Sequence, residues 1–327
     1  MKTKSLILMA FTVAALLLLV APAKWVSAEP IRLGLPRQMG SSLVWVADNQ
    51  GFFKKRGVDI VVKEYEAGVM AVNDLAADKI DMAVSAEFVF VLQSLKNPDL
   101  RMPATICMAF DHEFVVRKDR GISQPQDLRG KRVAVTRGSS GEFFLYNYLI
   151  FNRIPSASIR IVYYTPSEIV KAMADGTVDA ALSWQPYVTE MEKQMGAKVA
   201  RWPAQNSQDY YFPISTKKFF LEKHSKTMEH LLAALQEAEQ FIVKHPKQAQ
   251  TILREKVRLD PGAFSAVQSS YNFQLQLTQD LLVLMEQEAK WAIRNNLVEK
   301  REVPNYLNFF YFQALDKVKP EGVTIVH

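Results

Sequence analysis

Residues 78–85 read "DKIDMAVS" and residues 176–183 read "GTVDAALS". Both carry Asp-x-Ala-x-Ser, as Asp81, Ala83 and Ser85 and then as Asp179, Ala181 and Ser183, 98 positions later. Outward from each copy the hydrophobic period switches between two and about 3.6 residues, the mark of strands alternating with helices. The first copy is itself a strand (80–85). It follows a strand at 31–35, a helix from Ser42 to Arg56 closed by Gly57, a strand at 58–65 and a helix at 69–78. A helix at 87–96 and a strand at 102–110 come after it. The second copy (strand 178–184) follows a strand at 132–136, a helix at 141–152, a strand at 159–164 and a helix at 166–175. Gly34 lies 47 residues before Asp81 and Ala134 lies 45 before Asp179, so one three-strand unit is used twice. Such alternation predicts parallel sheets with helices on both faces.

The repeated serines stand at the carboxyl ends of their strands, where open α/β sheets place a ligand crevice. Two sheets facing one another would put both on a shared cleft; as plain helix N-caps they would serve only the fold. After Gly196, "YYFPISTKKFF" (210–220) reads as a strand running into a loop, and from Ser225 onward the pattern is nearly all helical. The chain crosses between halves near 111–114 and again near 203–213. That predicts one lobe from 29–112 and 209–327, a second from 113–208, and a hinge between them.

Residues 1–28 have the order of a secretory signal: Lys2 and Lys4, an apolar run from Leu6 to Ala21, and small residues before a cleavage point after Ala28. The run is shorter than the roughly 20 residues that span a bilayer comfortably. Without Lys2, Lys4 and Lys24 the net charge falls from +6 to +3, and no clustered basic face with aromatic platforms argues for nucleic acid. One cysteine, Cys107, in the apolar run "TICMAF", permits no internal disulfide and reads as a buried small hydrophobe.

Several segments in order, "ADNQGFFKKRGVDIVVKEYEAG", "AADKIDMAVSAEF", "QDLRGKRVAVTRGSSGEFFL", "MADGTVDAALSWQPYV", and "WAIRNNL" followed by "VPNYL", closely resemble the NMT1/THI5-like group of periplasmic solute-binding proteins. That group holds sulfonate, nitrate, taurine and thiamine-precursor binding proteins. The resemblance implies a type II periplasmic binding fold, two α/β lobes with a ligand cleft between them and a helical C-terminal region. It also implies a small-molecule ligand and an ABC permease in the inner membrane as partners.

Within "VTRGSSGEFF" (135–144) a strand ends and a helix begins, a ready anion site through free N–H groups. The resemblance carries ligand contact onto Gly138, Ser139 and Ser140, and Arg137 would add positive charge. Ser139 and Glu142 also have the spacing of a capping box. Glu142, and Glu87 at the mirror position of the first lobe, would repel a purely anionic ligand. The resemblance further points to Gln38, Ser41 and Ser42 in one cleft wall and to Gly68 after the second strand. Ser41 or Ser42 would equally serve as an N-cap, and Gly68 as a turn residue. Trp184 and Gln185 follow Ser183 directly, and the Trp184 ring would stack on a planar ligand, wall off an apolar one or pack between lobes. Asp209 and Tyr210 line either the cleft or the hinge, and Phe143–Phe144 read as core.

No nucleophile–base pair, Cys-x-x-Cys or zinc-protease order is present, and the cysteine-rich iron motif of pyrimidine-forming relatives is absent. The expectation is a monomeric binding protein without cofactor or metal, with a membrane-coupled sensor as the alternative. A zwitterion or an aminopyrimidine would reconcile the arginines with the two glutamates.

Overall fold

The computed structural model describes residues 29–205 and 208–326. The segment read as an export signal lies outside them. Two sheets form. The first contains β1 (Ile31–Pro36), β2 (Ile60–Tyr65), β3 (Met82–Val84), β4 (Leu100–Ala109), β10 (Tyr210–Lys217) and β11 (Tyr271–Asn272), in the order β2-β1-β3-β10-β4-β11. The second contains β5 (Glu113–Arg117), β6 (Arg132–Val135), β7 (Arg160–Tyr163), β8 (Ala180–Ser183) and β9 (Val199–Pro203), in the order β7-β6-β8-β5-β9.

The two orders are one plan. Three parallel strands are followed by an antiparallel strand that has just crossed from the other lobe, β10 in one case and β5 in the other. The strand that leaves each lobe, β4 or β9, pairs outside it. An unbroken parallel run through β3 and β4 is therefore corrected, because β10 lies between them. The reason is visible in β10 itself: all but its last residue are buried, as suits a strand in a sheet interior.

Three further expectations change. The helix expected over Ser42–Arg56 is broken into Ser42–Asn49 and Phe52–Lys55. β10 runs straight into the helix Lys218–Lys244 with no intervening loop. β5 and β9 were not expected as strands, since "EFVVR" and "VARWP" are short and carry charged or proline residues.

The repeated aspartates explain the duplication. Asp81 accepts from the Arg32 backbone N–H (2.8 Å) and from Arg32 Nε and Nη2 (3.0 and 2.7 Å), and Asp81 N–H donates back to Arg32 O at 2.9 Å. Asp179 does the same with Arg132, at 2.9, 3.0 and 2.7 Å, with 2.9 Å for the return bond. A planar guanidinium can meet a carboxylate through two parallel N–H bonds, and each arginine does so here through Nε and Nη2. The fork fixes how the third strand of each unit lies against the first. Gly34 then pairs with Ala83, and Ala134 with Ala181. Small residues there leave room for the covering helices.

The crossings bind each other as well. Gln205 accepts from His112 N–H at 2.7 Å, and Ala204 N–H donates to His112 O at 3.0 Å. Buried Asp111 accepts from Tyr210 and Tyr271 hydroxyls of the first sheet and, at 3.2 Å, from Gln185 N–H of the second lobe.

Asp179→Ala should cost about 1–3 kcal/mol in urea denaturation, because three donors lose their acceptor at once. Arg132 holds the Asp179 carboxyl below its ordinary range, so this stabilisation is present above that range and is lost as pH falls through the depressed value. Wild type and variant should therefore converge in acid.

Candidate functional site

In each sheet the order 2-1-3 places a topological switch point at the carboxyl ends of the first and third strands. The loops at these ends meet face to face. Glu66, just after β2, accepts from Ser167 Oγ at 3.0 and 2.9 Å and from Ser167 N–H at 3.4 Å, in the first turn of Pro166–Asp175. Tyr187 OH donates to Glu66 O at 3.2 Å. Gly138 of the second lobe sits where a Cβ would lie 3.6 Å from Val69 and 4.0 Å from Leu92 of the first. The cleft is closed.

The loop 136–139 is the best-built part of its wall. Gly138 takes φ +70°, a conformation glycine adopts without strain, and its N–H donates to Glu142 Oε2 at 2.7 Å. Tyr163 OH donates to Glu142 Oε1 at 2.7 Å, and the Arg137 guanidinium lies 5.1 Å from the Tyr163 ring centre. Ser139 occupies the N-cap position of the helix Ser140–Phe151, but its hydroxyl donates to Thr136 O at 2.6 Å. The expected capping box is thus not made. Glu142 reaches one residue further back, and a true box forms at Thr165 and Glu168. Ser140 Oγ is 3.0 Å from His112 Nε2. Burial pulls the His112 pKa down to about 3, so the ring is neutral at ordinary pH.

At the strand ends beside this loop, Thr136 Oγ1, Ser183 Oγ and Trp184 Nε1 are buried and lack a hydrogen-bond partner among the described residues. Buried polar atoms are almost always paired, so three orphans at one switch point mark a place where another molecule would complete the set. Ser85 is buried too, and its hydroxyl donates to Ala86 O at 3.0 Å. Neither repeated serine is an N-cap: Ala86 and Pro186 hold those positions. A Cβ on Gly68 would come within 2.6 Å of Ser85 Cα, which accounts for glycine there by close backbone packing.

Ser41 and Ser42 are turned into their own loop, donating to Pro36 O (2.7 Å) and Met39 O (2.5 Å) rather than capping. Gln38 is buried beside them. Gln185 binds Asp111 through its N–H and accepts from Thr189 through Oε1. Tyr210 OH is tied to Asp111 at 2.6 Å, so Tyr210 belongs to the crossing, and Asp209 next to it is exposed. Phe143 stacks on Phe88 of the first lobe at 5.1 Å, and both rest on Trp291.

Sequence reasoning did not single out Glu66, Thr136, Tyr163, Ser167 or Tyr187. Thr136 was within reach, because it follows β6 as Ser183 ends β8. The Glu66–Ser167 contact joins residues 101 positions apart and left no local signal.

Two like lobes, two crossings and a closed cleft at facing strand ends define a ligand-sequestering protein of the type II periplasmic binding fold. The chain belongs to the NMT1/THI5-like family, whose model matches residues 39–249. It is similar to a candidate aliphatic sulfonates-binding protein of Bacillus subtilis (strain 168), 25% identical over 309 residues that cover 90% of each chain. It is also 25% identical over 205 residues to the taurine-binding periplasmic protein of Escherichia coli (strain K12), covering 61% of this chain and 62% of that one. The alkanesulfonate-binding protein SsuA from Xanthomonas axonopodis pv. citri, solved bound to MOPS, superposes with a TM-score of 0.76 at 17% identity. That match covers 87% of this chain and 99% of the other.

Glu87 Oε1 and both Glu288 carboxyl oxygens are also buried without a hydrogen-bond partner among the described residues. Glu87 is fully buried at the start of the helix Glu87–Ser94, where Oε2 accepts from Tyr211 N–H at 2.7 Å. Glu288 of the helix Gln279–Arg294 is buried against it. Burial raises both carboxyls, Glu87 to about 8, and their mutual repulsion adds to the rise at Glu288. The unfolded chain releases these protons in the ordinary carboxylate range, whereas the fold retains them to higher pH. Stability should therefore fall as pH rises from about 4.5 to about 8. Glu288→Gln should flatten that slope and raise the melting temperature at pH 8, as read by calorimetry across pH 5–9.

Proposed function

We propose that this chain is the substrate-binding subunit of an ABC importer. It would be exported to the periplasm, close two lobes on one small polar molecule, and present the closed form to a membrane permease. The observation that carries the reading is the set of orphaned polar atoms, Thr136 Oγ1, Ser183 Oγ and Trp184 Nε1, at the switch point of the second lobe. Family membership, the match along 90% of the Bacillus relative and the shared fold support it. The lobes would be residues 29–112 with 209–327, and residues 113–208. Among the described residues no helix is long and apolar enough to cross a membrane.

Ser140 beside His112 invites an enzymatic reading, and the local chemistry argues against it. A serine needs a base with appreciable proton affinity, and burial has removed most of that from His112. The third member of such a relay would be Asp111, whose oxygens are taken by two tyrosine hydroxyls and Gln185 N–H and lie 3.6 Å from His112 Nδ1. The pair is better suited to holding Ser140 in place as a ligand contact.

The test is a thermal-shift panel on the exported protein with sulfonates, taurine, nitrate, bicarbonate, amino acids and pyrimidines, with mass spectrometry of the recovered compounds. A ligand at 100 times its dissociation constant stabilises a fold by about 2.7 kcal/mol, which for a protein of this size is roughly a few degrees. A shift with the compound returned unchanged is the expected result. Chemical conversion of the stabilising compound would contradict it.

A further inference from the structure

The geometry points to Glu142 as a built-in anion: its buried carboxylate stands at the helix start of the second lobe and takes the Gly138 N–H there, so the cleft disfavours ligands whose only charge is negative and admits neutral groups or cationic nitrogen. This deepens the binding-protein reading and rests on it.

A helix start binds an anion through free N–H groups and the positive end of its dipole. Among the N–H groups just before and at the start of Ser140–Phe151, that of Gly138 is already committed to Glu142 Oε2 at 2.7 Å. The other oxygen is held by Tyr163 OH at 2.7 Å. Glu142 is only 1% exposed, so the carboxylate is a fixed component of the wall rather than a mobile side chain that drifts in from solvent. The second helix start facing the cleft repeats the arrangement. Before Pro166–Asp175, Glu168 accepts from Thr165 N–H at 2.8 Å, and Glu66 reaches from the other lobe to Ser167.

The buried unpaired atoms beside the loop are uncharged. Thr136 Oγ1, Ser183 Oγ and Trp184 Nε1 belong to residues 5%, 0% and 3% exposed, and all three lack partners among the described residues. His112, which holds Ser140, is neutral and supplies no counter-charge. The Arg137 guanidinium is exposed and lies against the Tyr163 ring. Arg37 is half-buried in the opposite loop, beside the Tyr187 hydroxyl. An anion brought to Gly138 would meet the Glu142 charge at close range, where like-charge repulsion exceeds the pull of one helix end.

Calorimetric titration of wild type, Glu142→Gln and Glu142→Ala with ethanesulfonate and inorganic sulfate tests this. The glutamine keeps an acceptor for Gly138 N–H without the charge, and circular dichroism with the melting temperature verifies each fold. Both Glu142 variants should bind ethanesulfonate or sulfate at least about tenfold more tightly than wild type. Equal or tighter binding of ethanesulfonate by wild type overturns the inference and leaves the binding-protein reading intact. Failure of every variant to bind either anion also overturns it, because a freed cradle would then hold no anion. The binding-protein reading is decided separately, by the ligand panel on wild type.

Discussion

Each lobe is pinned by an arginine whose guanidinium and backbone N–H both close on one aspartate, Arg32 on Asp81 and Arg132 on Asp179. The fork acts at the amino ends of the strands, and its effect is felt at the carboxyl ends. A one-residue slip of a strand reverses every side chain on it. With Asp81 and Asp179 fixed, Ala83 and Ala181 sit under the covering helices, and Ser85 and Ser183 each arrive at the switch point of their own sheet. Both pairs are partly exposed, so each contributes modestly as an ion pair. Their larger consequence is register.

From that register the route to function is short. The chain enters and leaves the second lobe through two segments bonded to each other by Gln205 and His112, and Asp111 ties tyrosines of one sheet to the backbone of the other lobe. Such a joint keeps the two switch points opposed. Across the gap, the Glu66–Ser167 and Tyr187–Glu66 bonds are few, polar and partly solvent-exposed, the kind that can break and re-form as lobes move. The buried aromatic contact of Phe88, Phe143 and Trp291 joins the lobes through the C-terminal helices and gives the closed form an apolar anchor.

Much of this was legible in the sequence, for reasons that differ by element. The repeat of Asp-x-Ala-x-Ser exposed the duplicated unit because both copies answer the same constraint. Pro166–Asp175 was placed to the residue, since Thr165, Pro166 and Glu168 spell a complete start signal. The place of β10 between β3 and β4 was not legible, because a strand's neighbours are set by where a crossing returns it. Ser139 and Glu142 have the spacing of a capping box, and spacing alone could not show that Gly138 and Tyr163 would claim the carboxylate. The Glu87–Glu288 pair joins residues 201 apart in sequence and was equally hidden, although a glutamate inside an apolar helical run is itself a local conflict.

The proposed ligand-driven closure of the two lobes turns about the joint at Asp111. Pulsed electron paramagnetic resonance on spin labels at Glu64 and Lys171, exposed sites on β2 and on Pro166–Asp175, measures that motion directly. Closure about that joint predicts a broad, longer distance distribution without ligand that contracts to a single shorter one when a compound from the stabilising panel is added. The same distribution with and without that compound would contradict it.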